Sequence, residues 1–488
     1  MSAELPITSY PEEDVRFLYT YFGRRIEDAP YYQPIYVPDS RRSRPMMVLG
    51  ATGCGKSELL LNLAFTDACK GRCTIIIDGK NDANFRNKLY YYNHVIAKRP
   101  FLSFMPVESA DSLSHTYNPF YSTVQNVKAT AEAFFNAYRP PHPVNKADGS
   151  DYYVDRARDS FTDLLRALHH SGYAFCIRDI RFLLENHRLL EMIQPYITDD
   201  AIRHYRDLMD RIKSIGIKKF QETISGFVTY LRKFDHWTMN SYNPDIIFDR
   251  LIYTDSTIYI GLPVDAEQNM MRAIGNIIVN QLMGLSSYMQ TNERKRRPVV
   301  SIIMDEGQAL IDTNMANWVA RVRSSGMMLT LSTQTLADIE AVNKQLAIQI
   351  TTNTSNCVMF NPNNTQTADW FSRLVGQESR RSYSIGGTAE SEEMEEGEAG
   401  TIRMEEKSRI PIDMITSLRT GQCFYRPPDS VKKPFWLSAP YLPDPPDRPD
   451  CQHRKILYPV RIESRGLAMS QAVNRFRQEM ANMGTSKR

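Results

Sequence analysis

The segment Pro45-Met46-Met47-Val48-Leu49-Gly50-Ala51-Thr52-Gly53-Cys54-Gly55-Lys56-Ser57-Glu58 sets the architecture of the chain. Its first five residues are an uninterrupted apolar run, the length and character of a strand buried on both faces. Leu59, Leu60, Leu63 and Ala64 then recur on one side of a helix. Between strand and helix, Gly50 to Ser57 satisfies the phosphate-loop pattern G-x-x-x-x-G-K-[ST] at every position. In such a turn the glycines let backbone N–H groups converge on phosphate oxygens, Lys56 reaches the β/γ phosphates and Ser57 ligates Mg²⁺. The helix start adds its positive end. Gly50, Ala51, Thr52, Gly53, Cys54, Gly55, Lys56, Ser57 and Glu58 are therefore the candidate nucleotide-binding residues. Cys54 occupies a free position of the pattern, as a spacer or as a reactive thiol.

Working outward, a second apolar run, Cys73 to Ile77, ends in Asp78-Gly79-Lys80. Strand, loop, helix, strand is the opening of an α/β fold with a mainly parallel sheet. From about Ala129 to Asp235 the pattern becomes helical. Val154, Ala157, Phe161, Leu164, Leu165 and Leu168 recur at helix spacing, as do Ile202, Tyr205, Leu208, Met209 and Ile212, then Ile224, Phe227, Val228 and Leu231. Pro140-Pro141-His142-Pro143 and the polar stretch to Ser150 lead in, and Asn243-Pro244 leads back. Strands resume at Thr257–Ile260, Val299–Met304, Met327–Leu331 and Cys357–Phe360, with an apolar helix at Met270–Met289.

The expected organisation is an N-terminal extension (1–40), a nucleotide-binding α/β domain (41–135 and 236–440), an inserted all-α domain (136–235) and a tail (441–488). Residues 383–408 hold a glycine-bearing stretch followed by Glu390, Glu392, Glu393, Glu395, Glu396 and Glu398, and read as a solvated, mobile loop. The tail is proline-rich and ends in a basic amphipathic segment, Met469–Lys487.

Composition agrees with a globular chain: 488 residues, 42% apolar and 24% charged, enough for two or three domains at ~150 residues each. No apolar run approaches the ~18–20 residues of a membrane span. The best candidate, Ile274–Tyr288, is cut by Asn276, Asn280 and Gln281. Acidic residues and prolines stand where a signal peptide needs a positive flank, so a cytoplasmic chain is expected. The seven scattered cysteines form no CxxC pair and read as reduced thiols. A net charge of +3 neither demands nor excludes nucleic acid.

Asp305-Glu306 closes the apolar strand before it. An acid at a strand's end beside phosphates holds Mg²⁺, and the glutamate after it can polarise a water for attack on the γ-phosphate. At the end of the next strand, Gln334 is placed either to sense that phosphate or to cap a turn. Arg321 and Arg323 lie in the connection ending at Gly326. Either Arg323 stabilises transition-state charge in a neighbouring subunit's site, or the two are a solvated pair. Arg294-Lys295-Arg296-Arg297 and the group Lys213, Lys218, Lys219, Arg232 and Lys233 are basic clusters suited to phosphate contacts or to plain solvation. Tyr90-Tyr91-Tyr92 can stack bases, but such a run more often packs a core or makes a subunit contact.

This order of features resembles the type IV secretion coupling proteins of conjugation, TraD/TraG-like ATPases within the RecA-like motors that include FtsK and HerA. Further matches are Thr116-Tyr117-Asn118-Pro119, and Ile410-Pro411-Ile412-Asp413 with Leu418-Arg419-Thr420-Gly421-Gln422-Cys423-Phe424, which looks like the family's closing strand pair. The similarity spans about 40 to 440. It implies a RecA-like P-loop ATPase domain and a homo-hexamer with ATP and Mg²⁺ between subunits. Lys56, Ser57, Asp305 and Glu306 would act on one face, with Gln334 as sensor and Arg323 reaching in from the neighbour. It implies single- or double-stranded DNA, relaxase or secreted protein as cargo, and membrane or channel subunits of a type IV secretion system in trans. The location implied is cytoplasmic, peripheral at the inner face of the bacterial cell membrane.

Coupling proteins usually begin with two membrane helices; here Phe17-Leu18-Tyr19-Thr20-Tyr21-Phe22 is too short and too polar for one. Alternative readings are the secretion-assembly ATPase of the same system and a soluble FtsK/HerA-like DNA translocase. The 49 residues ahead of Gly50 argue against the first. A reading of another class is a nucleotide-gated cargo-docking module using the acidic loop and basic tail.

Overall fold

A computed structural model of the protein describes residues 19–27, 33–110, 112–121, 127–138, 150–171, 174–264, 268–291, 297–310, 313–384, 401–428, 434–458 and 478. In chain order its strands are β1 (Tyr19–Arg25), β2 (Pro34–Pro38), β3 (Met46–Leu49), β4 (Cys73–Asp78), β5 (Phe101–Phe104), β6 (Thr257–Gly261), β7 (Val300–Asp305), β8 (Met327–Thr333), β9 (Asn356–Met359), β10 (Gln377–Ser384), β11 (Thr401–Ser408), β12 (Gln422–Arg426) and β13 (Phe435–Ser438). The helices used below are α1 (Lys56–Cys69), α2 (Ala83–Tyr90), α3 (Val127–Tyr138), α4 (Ser150–Ser171), α5 (Ile177–Glu185), α6 (His187–Ile193), α7 (Asp199–Ile215), α8 (Ile217–Leu231), α9 (Gln268–Thr291) and α10 (Thr313–Arg321). The chain divides into two compact units, one of residues 1–62 and 330–442, the other of 63–329 and 443–488; the divisions fall inside α1 and β8.

In the first unit β3 is central and fully buried, with β8 and β9 parallel on either side. Parallel strands covered on both faces need continuous apolar sequence, which Met46 to Leu49 supplies. Beyond β9 the direction changes: β12, β13, β1 and β2 follow in that order, each antiparallel to the one before. The residues ahead of position 41 thus contribute two strands. Their burial is partial: Thr20 to Gly23 are covered in β1 but only Val37 in β2, a run too short to be told from a polar extension when read as sequence. β10 and β11 form a separate antiparallel ribbon, Gln377 opposite Ser408 and Ser384 opposite Thr401. Of the stretch 383–408 read as a loop, residues 383–384 and 401–408 are strand, and the glutamate block between them lies outside the described residues.

The second unit has β4 at its centre, parallel to β7 and β6, with β5 parallel to β6. Every residue of β4, β6 and β7 is buried. Helices α3, α4 and α8 pack around aromatic rings: Phe135 stacks on Phe227 at 4.0 Å, Phe161 meets Phe227 edge-on at 5.0 Å, and Phe134 meets Phe234, just past α8, at 5.3 Å. Offset and edge-on rings add stabilisation beyond their buried area.

Thr116-Tyr117-Asn118-Pro119 clasps the two ends of this helical run. Thr116 donates through both N and Oγ1 to Asp245 Oδ2 at 2.9 Å. Asn118 Nδ2 donates to the carbonyls of Phe175 (2.7 Å) and Ser241 (2.9 Å), while its Oδ1 accepts from Phe120 N. Tyr117 hydroxyl donates to Gln281 on α9 at 2.7 Å. The lead-in at Pro140–Pro143 lies outside the described residues.

One expectation is corrected. The segment after Ile410 is not one half of a strand pair: Ile412–Thr416 is a short helix, and β12 pairs instead with β13 and β9. Pro411 stands ahead of that helix, where its missing N–H costs nothing. Of the tyrosine run, Tyr90 and Tyr92 are core residues: Tyr90 packs edge-on against Phe101 and His453, Tyr92 against Phe65, while Tyr91 is half-buried.

Part of the tail is ordered on the second unit. Tyr92 hydroxyl donates to the Pro443 carbonyl (2.9 Å), Lys88 pairs with Asp444 (3.0 Å), and His453 Nε2 lies 3.1 Å from Ser103 Oγ on β5. The basic segment Met469–Lys487 falls outside the described residues, apart from Gln478.

Replacing Asn118 by Ala leaves the buried Phe175 carbonyl and the partly buried Ser241 carbonyl without this donor. The expected loss is about 2–4 kcal/mol of unfolding free energy, read from the denaturant midpoint. His453 supplies a pH dependence. Burial, then Arg86 and His115, lowers its pKa from 6.5 to about 3. Because the folded-state value is the depressed one, its contribution is complete above 6.5 and is lost as pH falls toward 3. His453→Gln should flatten that acid limb in unfolding midpoints measured across the same range.

Candidate functional site

In the first unit the turn Gly50–Ser57 leaves the end of β3 framed by three neighbours. Gly50 N donates to the Gln334 carbonyl just past β8 at 3.3 Å, and Ala51 N to the Asn361 carbonyl past β9 at 2.8 Å. Gly421, in the turn before β12, donates to the Cys54 carbonyl at 2.9 Å. Two glycines are required sterically. A Cβ on Gly50 would lie 2.6 Å from Phe360 Cβ and 2.8 Å from Cys54 Sγ. Gly55, at φ +110°, would bring one to 3.2 Å from Gly421. Cys54 is buried against the turn, which favours the spacer reading over a reactive thiol.

Lys56 is 5% exposed, and its ammonium donates to the carbonyls of Gly50 and Ala51, the latter at 2.9 Å. It is a buried cation folded over the mouth of its own loop. Thr52, Gly53 and Ser57 are exposed, and Glu58 half-buried. Gln334 is half-buried, joined to the loop through its main chain. Sequence reasoning missed Phe360, Asn361 and Gly421. The available signal was the turn-forming Asn361-Pro362-Asn363 directly after an apolar strand. Asn361 Nδ2 in turn holds the Thr416 and Leu418 carbonyls, at 2.7 and 3.2 Å.

In the second unit β7 ends on Asp305 and Glu306, 5% and 6% exposed. Glu306 sits at φ +54°, in the left-handed region, which costs a residue other than glycine about 1–3 kcal/mol. The main-chain turn is held by Asp305 Oδ1, which accepts from Glu306 N at 3.1 Å, and by Gly79 N, which donates to the Asp305 carbonyl at 3.2 Å. Asp78, directly opposite Asp305 in the β4–β7 register, accepts from Tyr259 hydroxyl (2.7 Å), Lys80 N (2.9 Å) and Asp82 N (2.8 Å). Burial raises the Asp78 pKa against the opposing effect of those donors.

Both Glu306 oxygens are engaged. Lys80 Nζ pairs with Oε1, and Gln308 Nε2 donates to Oε2 at 2.5 Å. Burial alone would lower the Lys80 pKa; Glu306, then Asp305 and Asp78, outweigh it and hold the value above the ordinary range. Lys80 ended an apolar run in the sequence but carried no motif that marked it.

Arg323 is exposed on the turn between α10 and Gly326. This turn adjoins the start of β7: Val300 N donates to the Gly326 carbonyl, and Arg297 to the Ser324 carbonyl. Glu306 lies at the other end of the six-residue β7, roughly 17 Å away at ~3.3 Å per residue. Within one chain, therefore, the structure does not bring Arg323 to Glu306. Lys213, Lys218, Lys219 and Lys233 are exposed, whereas Arg232 pairs with Glu185 at 3.0 Å. Arg294, Lys295 and Arg296 lie outside the described residues. Among the described residues no helix is long and apolar enough to cross a membrane.

Residues 299–419 match the family described as the TraM recognition site of TraD and TraG. No curated protein matches the chain. Solved structures of similar fold include an unbound form of the bacterial conjugative coupling protein TrwBdeltaN70, with 13% identity over 85% of this chain and 89% of that one, at a TM-score of 0.58. Two others are the plasmid coupling protein TrwB with the non-hydrolysable GTP analogue GDPNP and with ADP and Mg²⁺. The first covers 91% of this chain and 98% of that chain at 13% identity, the second 88% and 97% at 14%, both at a TM-score of 0.57. The α/β fold with a mainly parallel sheet and an all-α run, read from the sequence, is thus the fold of the coupling proteins.

Gly50→Ala must push a methyl group into Phe360 and Cys54. The expected cost is about 1–3 kcal/mol in thermal or denaturant unfolding, while Thr52→Ala, at an exposed position, leaves the transition where it is.

Proposed function

We propose that this chain, TraD/TraG-like over residues 299–419 and built on the coupling-protein fold, is an ATP-hydrolysing coupling motor that hands DNA, with its relaxase, or protein cargo to a conjugation channel. The observation that carries the reading is the pair Asp305-Glu306, held buried at the end of β7 inside the matched segment, on a chain whose phosphate-loop pattern is complete.

The donor chemistry fits ATP and Mg²⁺. The Ser57 hydroxyl and the Asp305 carboxylate each offer the kind of hard oxygen that Mg²⁺ prefers, and the glycine turn offers backbone N–H groups and the Lys56 ammonium to phosphates. Solved relatives with ADP and Mg²⁺ or with triphosphate analogues support the same pairing. Mg²⁺, when bound, neutralises charge on the phosphate oxygens. The protein's own contributions are four. Lys56 exchanges its loop carbonyls for phosphate oxygens, and Glu306 polarises the attacking water. Gln334, tied to Gly50, relays the state of the loop into β8. Arg323, remote from Glu306 in its own chain, serves the site of a neighbour, which calls for a ring; we take six copies.

The description of the matched segment supports docking of a TraM-like accessory protein on residues 299–419. We place the chain at the cytoplasmic face of the membrane, with anchoring and channel subunits in trans.

The test is phosphate release with and without single-stranded DNA. Lys56→Ala should lose nucleotide binding and turnover together. Glu306→Gln should keep binding while kcat drops ~10²–10⁴-fold, the usual contribution of a positioned base. Arg323→Ala should be inactive alone and regain turnover when mixed with Glu306→Gln subunits. An unaltered rate in Glu306→Gln would sink the hydrolytic reading; turnover indifferent to DNA would shift it toward protein cargo.

A further inference from the structure

Glu306 needs an exact aim, since a carboxylate that polarises water acts only from within hydrogen-bond reach of it. Three features converge on that aim from outside β7. The first is the ion pair from Lys80 to Oε1, between a carboxylate whose side chain is 8% exposed and an ammonium whose side chain is 39% exposed. The second is the anchoring of Lys80 itself. Its backbone N–H is gripped by Asp78, which also takes Asp82 N and the Tyr259 hydroxyl and so fixes the turn leaving β4. The third is the backbone fit between the two strand ends. Gly79 N bonds the Asp305 carbonyl, and a Cβ on Gly79 would stand 3.1 Å from Glu306 Cβ, so the β4 turn lies directly against the left-handed residue.

Gln308 holds the other oxygen from the β7 side. A strained backbone persists only where its surroundings over-determine it, and here two strands contribute to that.

We propose that Lys80 is a positioning residue for the hydrolytic carboxylate: it fixes the side chain of Glu306 from the neighbouring strand β4 and acts on turnover only through it. The inference rests on the coupling-motor reading and adds a residue to it. In this proposal Lys80 acts on neither the nucleotide nor the attacking water directly; its part is to restrict Glu306 to one rotamer. A misplacement of about 1 Å in a reacting group costs on the order of 10²-fold in rate, so the effect belongs in kcat and not in binding.

The experiment measures kcat and KM for ATP in the full chain, together with the affinity for a non-hydrolysable ATP analogue. The variants are Lys80→Met, Lys80→Arg, and Lys80→Met combined with Glu306→Gln. Lys80→Met should lower kcat by about ten- to a hundredfold with KM and analogue affinity unchanged, and Lys80→Arg should recover most of the rate. In the Glu306→Gln background, Lys80→Met should change nothing further. The analogue affinity also reports that each variant is folded. A Lys80→Met protein as fast as its parent, or faster, overturns the proposal. So does a rise in KM that accounts for the loss, a Lys80→Arg no better than Lys80→Met, or an additive double variant. If the parent binds the analogue and releases no phosphate, the motor reading falls and takes this inference with it; a parent that turns over while Lys80→Met matches it removes the inference alone.

Discussion

A strand covered on both faces can offer chemistry only at its ends. β3, β4, β6, β7 and β8 are buried along their whole length, and their interiors are accordingly apolar or bear small hydroxyl side chains. Polar and charged groups collect where the strands stop. β3 runs into the glycine turn, β4 into Asp78-Gly79-Lys80, β7 into Asp305-Glu306, and β8 into Gln334. Parallel pairing aligns the ends within each unit: Leu49 stands opposite Thr333 and Met359, and Asp78 opposite Asp305 and Gly261. Every residue assigned a hydrolytic role on this chain, Arg323 apart, follows from that constraint.

The same constraint explains what was readable from sequence. Continuous apolar runs such as Met46–Leu49 and Val300–Met304 announce doubly covered strands, and a complete phosphate-loop pattern after the first of them needs no tertiary information. The outer strands gave no such signal. β1, β2 and β13 are half-covered and short, with exposed residues among them; their partners lie hundreds of residues away, as in Arg24 opposite Ser438. Pairing of that kind depends on which surface is left open once the centre has formed, which no local pattern records. The frame of the phosphate turn was hidden for a related reason. Phe360 and Gly421 occupy the space that a side chain on Gly50 or Gly55 would take, and Gly421 also gives its N–H to the Cys54 carbonyl, roles that a side-chain pattern does not record. Lys80 was hidden because one lysine after a strand is indistinguishable, as sequence, from a solvated one.

The helical run is attached economically. Its beginning and its return are joined by one four-residue segment, where Thr116 and Asp245 exchange hydrogen bonds and Asn118 holds carbonyls from both Phe175 and Ser241. Buried amides of this kind are costly to leave unpaired, so the clasp defines where the helices depart from the second unit, and Tyr117 extends it to α9 through Gln281. Thr116–Pro119 therefore marks a junction and not a catalytic element, although the sequence pattern sets it beside the nucleotide motifs.

The position of Arg323 bears on whether one copy of the chain suffices for hydrolysis. Its turn is pinned to the beginning of β7 by Val300 and Arg297, and Ser325 is tied to Ser286 on α9 at 2.9 Å. That anchoring leaves the guanidinium exposed and cannot be undone without breaking buried contacts. An arginine side chain reaches a few ångströms beyond its backbone, well short of the length of β7. If Glu306 polarises the attacking water and Arg323 steadies transition-state charge, as proposed above, a single subunit holds the two groups at opposite ends of a rigid strand. The two become one active site only if the start of β7 in one copy faces the end of β7 in the next. That head-to-tail relation is heterologous, and a heterologous contact closes into a ring or runs on as a filament. The proposed head-to-tail assembly, ring or filament, thus rests on the rigidity of β7 and the exposure of Arg323.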